Sequence, residues 1–467
     1  MSVQSTLAKL SLCRTTALGG RWYECDDCQR VTKIHNSCGD RHCPCCSGAK
    51  RQDFSERAEK LILDGVDYYQ VVFTLPEVLS TMALANRQQI ADLLFASAWK
   101  ALKKTIQSEQ GYDGAALMVL HSWNQKLDSH WHVHALVPGG GPDLSDGSWA
   151  EATAPVIAGY DDDRAYLVDA INLRRSFRKF AIAHLQRLRK AGKLKLGGSL
   201  DHLRCDDAWN SMIEAIDEQE WVSYIEPPPH ESSRPEHVVR YLTRYLTGGP
   251  ISDGRILAAD DGEVTFLARE GKAVGGERAQ VPCTLTTTEF VRRWCLHIQP
   301  DQLTKTRSFG GWSNTRVDGY LEQCCKALDA AGVELESESA IEFGPTLAAK
   351  TICEAEPCRL RCEHCGSESL RMVNEIEKPS WSSVFSRRSE CSPGWYRESQ
   401  EIDDLRFWDA AMGEGFSDWY AWYLKSGIES ARESKQRVGP FHPVGPATQM
   451  TLPGIEAETG ISRALPF

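Results

Sequence analysis

Apolar positions along this chain switch repeatedly between a period of two and a period near 3.6, and the switches lay out its elements. Tyr68-Tyr69-Gln70-Val71-Val72-Phe73-Thr74-Leu75-Pro76 is β-branched and aromatic and is closed by proline, which predicts a strand. Gln88 to Ile106 carries Ile90, Leu93, Leu94, Ala98, Trp99 and Leu102 at helical spacing. Ala115 to Ser122 and His130 to Pro138 read as two more strands. Joined by the polar Asn124–Ser129 stretch, they predict an antiparallel hairpin, which Gly139-Gly140-Gly141-Pro142 ends.

Leu173 to Ala191 is a basic helix with Phe177, Phe180, Ala181, Leu185 and Leu188 on one side, and Glu220 to Glu226 a short strand. A helix is predicted from about Pro235 to Leu246, with proline in its first turn and Gly248-Gly249-Pro250 as its stop. Short strands follow around Arg255–Leu257 and Glu263–Leu267. Thr286-Thr287-Thr288-Glu289 then caps a helix bearing Phe290 and Trp294. Ala49 to Lys60 is a polar helical stretch. Strands and helices mixed in this way predict an α+β, split-βαβ sheet domain over residues 61–320. A cysteine-rich module precedes it at 1–60, an acidic region follows at 321–435, and a poorly ordered tail is expected at 436–467.

The 467 residues are 42% hydrophobic and 25% charged, a globular balance that excludes disorder, collagen and coiled coil as overall descriptions. No apolar run approaches the roughly 18 residues of a membrane span, and Met1-Ser2-Val3-Gln4 does not begin a signal peptide, so a cytoplasmic protein is expected. The net charge of −11 argues against a nucleic-acid partner only on average. Between Arg164 and Arg204 eleven Lys/Arg face two Asp/Glu, whereas between Asp329 and Asp404 sixteen acidic residues face eight basic ones. A basic middle with an acidic rear suits a polyanion-binding core.

Seventeen cysteines form two clusters and five scattered residues. In a reducing compartment, C-x2-C spacing points to metal rather than disulfides. Cys25-x2-Cys28 and Cys43-x2-Cys46 each supply a two-thiolate knuckle for structural zinc, with Cys38, Cys13 and His42 as further candidate ligands in one or two sites. Cys362-x2-Cys365-Gly366 is a zinc-ribbon half, with Cys358, Cys353 and Cys391 as candidate partners. On the strand His130-Trp131-His132-Val133-His134, alternate side chains share a face, so three imidazoles project together and suit a divalent metal. In Arg240-Tyr241-Leu242-Thr243-Arg244-Tyr245, helical spacing stacks both phenols and their flanking arginines on one side. The lysine- and arginine-rich helix, with Arg174, Arg175, Arg178 and Lys179, is expected to contact phosphates.

These motifs also follow an order. The cysteine cluster ends in Ser37-Cys38-Gly39-Asp40-Arg41-His42-Cys43-Pro44-Cys45-Cys46. Then come Val72-Phe73-Thr74-Leu75-Pro76, the histidine strand running into Gly139-Gly140, Tyr241-Leu242-x-Arg244-Tyr245, Phe290-Val291-Arg292-Arg293-Trp294 to His297, and Arg307-x-Phe309-Gly310. In this the chain resembles the two-tyrosine transposases of the HUH superfamily, encoded by rolling-circle insertion sequences, over about residues 10–320. The resemblance implies an antiparallel-sheet endonuclease domain with an RRM-like palm. It implies Mg²⁺ or Mn²⁺ held by the histidine pair, structural Zn²⁺, and single-stranded transposon ends and target DNA as partners. It implies attack by Tyr241 and Tyr245, giving 5′-phosphotyrosine and a free 3′-OH. No nucleotide cofactor is expected, and no phosphate-loop motif is found.

Relatives often have proline where Trp131 stands, which leaves His130/His132 and His132/His134 both open as the metal pair; the second is preferred because Val133 begins the apolar strand. Gly249 stands where some HUH enzymes place a third ligand, and His121 or Gln125, on the opposing half of the hairpin, are substitutes. The alternatives are a catalytically inactive zinc-dependent DNA-binding protein and a metal-dependent nuclease not using tyrosine.

Overall fold

A computed structural model describes residues 3–46, 58–155, 166–228, 249–269, 279–300, 302–332, 360–386 and 389–398. The chain divides into two compact units, one over Gly39–Arg359 and one joining Ser2–Cys38 to Leu360–Phe467. The expected helix at Pro235–Leu246, most of the expected helix at Ala49–Lys60 and the tail lie outside the described residues.

The Gly39–Arg359 unit is built on a five-stranded antiparallel sheet of β1 (Tyr68–Thr74), β2 (Ala115–Trp123), β3 (Ser129–Pro138), β4 (Val222–Glu226) and β5 (Thr306–Gly310), in the order β5-β2-β3-β1-β4. The predicted hairpin is its centre. Asn124 turns it, its Oδ1 accepting from the backbone N–H groups of Lys126 and Asp128, both at 2.9 Å.

The two faces differ because the strands alternate. Phe73, Val71, Trp131, Val133, Ala135, Met118 and Leu120 point to one side. There they meet the helices α1 (Glu77–Ala85), α2 (Arg87–Glu109), α3 (Ala170–Lys190) and α4 (Asp206–Glu218) in the main core. Trp131, the departure from proline, is wholly buried on that side. Asp169 caps α3, accepting from the Asn172 N–H at 2.7 Å, and Phe177 stands edge-on to Phe73 with centroids 4.9 Å apart.

On the other face, Tyr68, Ala115, Leu117, Val119 and Leu136 pack with Trp312 and with Tyr320, Cys324 and Leu328. A small three-stranded sheet (Ile256–Asp260, Glu263–Arg269, Gln280–Thr286) leads into α5 (Thr287–Cys295), where Thr286 caps as expected, its hydroxyl accepting from Glu289 N–H at 3.3 Å. Tyr320, Cys324 and Leu328 lie on α6 (Val317–Ala330), which the apolar face of the sheet holds in this unit past the expected limit at residue 320.

The second unit corrects the expected layout at the chain ends. Its sheet places Gly20–Cys25 between Val31–His35 and Leu370–Ile376, so the N-terminal cysteines up to Cys38 share one unit with Cys362, Cys365 and Cys391, while Cys43, Cys45 and Cys46 belong to the larger unit. No described helix is long and apolar enough to cross a membrane.

Gly310 ends β5 at φ +62°, and a Cβ there would lie 2.2 Å from the Gly114 carbonyl oxygen and 2.5 Å from the Trp99 ring. Gly310→Ala is therefore expected to destabilise the protein by more than the ~1–2 kcal/mol of a left-handed backbone alone. A denaturant midpoint unchanged from wild type would show that the strand end relaxes freely.

Candidate metal centre on the open sheet face

Register assembles the site. In the pairing of β2 with β3, His121 sits directly opposite His132, and Val119 opposite His134. Opposed residues of an antiparallel pair share a face, so His121 joins the two histidines on the side away from the main core. The ligand-capable nitrogens of His121, His132 and His134 all lie within 4.8 Å of one another. The ring centroids are 5.3 Å apart for His121 and His132, 4.7 Å for His121 and His134, and 5.0 Å for His132 and His134.

His130 stands outside this trio. Its backbone carbonyl lies 2.9 Å from His132 Nδ1 and accepts its proton, leaving His132 Nε2 as a lone-pair donor. Gln125, the other substitute ligand, is exposed. Of the four candidate histidines the structure brings together three, and His132/His134 is the pair that includes the third partner.

Burial sets their charge. It holds His132 well below the ordinary imidazole value, aided by His134 and His130, and it pushes His134 down to about 4. Both rings are neutral at neutral pH, the form that ligates a cation. Gln70, on the neighbouring β1, has its Nε2 3.0 Å from His134 Nδ1, while its buried Oε1 has no partner among the described residues. A half-turn of that amide puts Oε1 on an Nδ1–H and leaves His134 Nε2 with its lone pair. Gln70 escaped the sequence reading, since a lone glutamine in an apolar strand carries no signal until the strand order is known.

Three imidazoles, with no carboxylate in the group, fit a divalent transition ion better than hard Mg²⁺, which prefers oxygen. The same face carries exposed Tyr224 on the edge strand β4, opposite Val72, which in turn opposes His134. His297, at the end of the resembling motif after α5, is a core residue. Its Nε2 is 3.0 Å from the Leu127 carbonyl and its Nδ1 is 3.2 Å from Ser122 Oγ.

In the second unit, the sulphurs of Cys25, Cys28, Cys362 and Cys365 lie within 4.8 Å of one another. The backbone N–H groups of His364 and Cys365 help lower the Cys362 thiol to about 6. The Cys362 knuckle thus meets the first N-terminal knuckle instead of Cys391, and Cys358 lies outside the described residues. Cys38 N–H points at Cys13 Sγ at 3.4 Å. In the larger unit, a 3₁₀ turn over Pro44–Cys46 folds the second knuckle, with Cys46 N–H bonded to Cys43 O at 3.1 Å.

His42 is corrected as a zinc ligand. Its Nδ1 lies 3.0 Å from Asp40 Oδ1 and its Nε2 accepts from Gln299 N–H at 3.2 Å, so both ring nitrogens are committed.

The basic helix α3 lies on the main-core side of the sheet, away from the histidines. Arg174 pairs with Glu220 and Arg178 with Asp217, whereas Arg175 and Lys179 are exposed. Tyr241, Tyr245, Arg240 and Arg244 lie outside the described residues.

Fold and sites together define an α+β protein with a histidine-lined face on an antiparallel sheet and a thiolate cluster of zinc-binding type. The family model described as "Putative transposase" matches residues 115–318, and that described as "Transposase zinc-binding domain" matches residues 1–75. "Putative transposase y4qJ" of Sinorhizobium fredii is 33% identical over 321 residues, covering 68% of this chain and 76% of that protein. "Transposase for insertion sequence element IS801" of Pseudomonas savastanoi pv. phaseolicola is 27% identical over 373 residues, covering 79% of this chain and 82% of that protein. A copper-bound conjugative relaxase in complex with oriT DNA matches at 16% identity over 38% of this chain and 64% of that one, with a TM-score of 0.19. The chain belongs to this family of insertion-sequence transposases.

The buried histidines make stability depend on pH. His134 and His297 sit near 4 in the folded chain against 6.5 for a free imidazole. The unfolded chain therefore binds protons that the folded one excludes as pH falls from 6.5 toward 4, and stability declines across that window. Thermal melts from pH 7.5 to 4.5 are expected to show this, with a shallower decline in His134→Gln. Equal slopes would mean that His134 is not held neutral by the fold.

Proposed function

We propose that this transposase nicks and rejoins single-stranded DNA through 5′-phosphotyrosine intermediates, in rolling-circle-type transposition. The convergence of His121, His132 and His134 on one sheet face carries this reading. Their ring nitrogens would hold the divalent ion, Mn²⁺ in preference to Mg²⁺. The bound ion would polarise a phosphoryl oxygen and offset the charge that develops there.

The chain itself supplies the nucleophiles. Tyr241 and Tyr245, whose four-residue spacing would put both phenols on one side of a helix, are the residues we assign to attack. The phenolic oxygen bonds to phosphorus, the bond to the 3′-oxygen breaks, and that oxygen leaves as a 3′-OH on taking up a proton. The phenol's proton is lost, which Arg240 and Arg244, its neighbours in sequence, would favour. One phosphate ester replaces another, so no nucleotide is consumed. Two tyrosines permit two exchanges, one for the transposon end and one for the target. The ring-nitrogen contacts of His132 and His134 keep the imidazoles oriented throughout. A structural Zn²⁺ is assigned to the thiolates, and the Cys43-x2-Cys46 spacing supports a second.

Labelled single-stranded transposon ends incubated with the protein and Mn²⁺ are expected to give a covalent adduct. Tyr241→Phe and Tyr245→Phe should each lose one exchange. The double variant, and His132→Ala with His134→Ala, should bind DNA yet form no adduct. Cleavage without adduct that survives both Tyr→Phe changes would instead indicate a metal-dependent nuclease.

The basic helix α3 is assigned to strand lying away from the reacting phosphate. Exposed Arg175 and Lys179 are free to meet phosphates, whereas Arg174 and Arg178 first have to leave their carboxylates. For single strands, removing two phosphate contacts should flatten the log–log salt slope of binding by about 1.4. Arg175→Ala with Lys179→Ala should do so and Arg174→Ala with Arg178→Ala should do less. The same slope in both chains and in wild type would return α3 to a purely structural role.

A further inference from the structure

We propose that one zinc ion, held by Cys25, Cys28, Cys362 and Cys365, closes the two ends of the chain into a single split zinc ribbon. The N-terminal zinc-binding domain is then incomplete without the strand Leu370–Ile376 and the knuckle before it. The family match to that domain stops at residue 75 and contains only half of these ligands.

The two knuckles are built alike. Cys25 N–H bonds to Arg30 O at 3.0 Å, and Gln29 N–H bonds back to Cys25 O at 2.8 Å. Cys362 N–H bonds to Ser367 O at 2.8 Å, and Gly366 N–H bonds back to Cys362 O at 2.9 Å. The fourth residue after the first cysteine is left-handed in both, Gln29 at φ +56° and Gly366 at φ +77°. Each loop thus presents its two thiols in the same way.

They also face each other at the right separation. Cys25 Sγ is 3.5 Å from Cys365 Sγ, and Cys28 Sγ is 3.6 Å from Cys362 Sγ. Four sulphurs around tetrahedral zinc with Zn–S bonds near 2.3 Å stand about 3.8 Å apart. A disulfide would need about 2.05 Å.

Beside the sulphurs, the strands pair from Gly20↔Ile376 to Cys25↔Leu370, joined by Arg21–Glu375 at 2.8 Å and Arg371–Glu24 at 2.7 Å. Met372, Val373 and Ile376 remain exposed, so this pairing buries little apolar surface. It must also close loops of 334 and 340 residues between the facing cysteines. Salt bridges at an exposed edge contribute little to such a closure. Zinc–thiolate bonds, far stronger than these exposed contacts, would hold it.

This proposal stands apart from the histidine site, and its test reads no DNA chemistry. Full-length protein is stripped stepwise with a chelator, alkylated at each step, and mapped by mass spectrometry. Cys25, Cys28, Cys362 and Cys365 are expected to be protected together and released at the same chelator concentration. Cys362→Ser with Cys365→Ser is expected to lose one zinc per chain and open Cys25 and Cys28 to alkylation. Cys365→His, which keeps four donors, controls for misfolding: it should retain the full metal content and weaken the sulphur-to-cobalt band of the Co²⁺-loaded protein. Release of the two pairs at different chelator concentrations overturns the proposal. So does protection of Cys25 and Cys28 with unchanged zinc in the double serine variant, or an unchanged cobalt band in Cys365→His.

Discussion

The register between Ala115–Trp123 and Ser129–Pro138 is the constraint on which the histidine site depends. Side chains on a strand alternate faces, so a slip of one residue would send His132 and His134 into the helical core and bring Trp131 and Val133 out. The burial of Trp131 and Val133 in the main core resists that slip, and the Asn124 turn holds the hairpin's length. The same apolar residues that fold the sheet therefore place His121 opposite His132.

Each face of the sheet then has its own task. One is filled by aromatic and branched side chains against four helices. The other is apolar only in part: Leu117, Val119 and Leu136 pack against Trp312 and the helix Val317–Ala330, and the histidines lie along the strands from them. A buried imidazole is costly to protonate, so this position also keeps His132 and His134 neutral. Packing and ligand chemistry are set by one arrangement. The basic helix belongs to the opposite face.

Much of this was legible in the chain. The central strands, the long helix at Arg87–Glu109, the capped helix at Thr287–Cys295 and the basic helix all appear where periodicity and capping residues place them. The ordered motifs pointed to the transposase family, and the family matches agree. The histidine face was legible because a period of two is a local property. The C-x2-C knuckles were legible for the same reason, their turn being a matter of a few residues.

What the chain did not disclose are the pairings between distant segments. His121 against His132, Gln70 beside His134, and Cys25 and Cys28 facing Cys362 and Cys365 all depend on strand order and register. Nothing in local spacing says that a knuckle near residue 25 will prefer one near 362 over its neighbour at 43, because thiolates alike in chemistry are told apart only by position in space. His42 shows the converse: its type and its place among cysteines suited zinc, but Asp40 and Gln299 take both ring nitrogens. Residue type and short-range period determined which groups could ligate, and the long-range pairing of strands alone decided which of them meet.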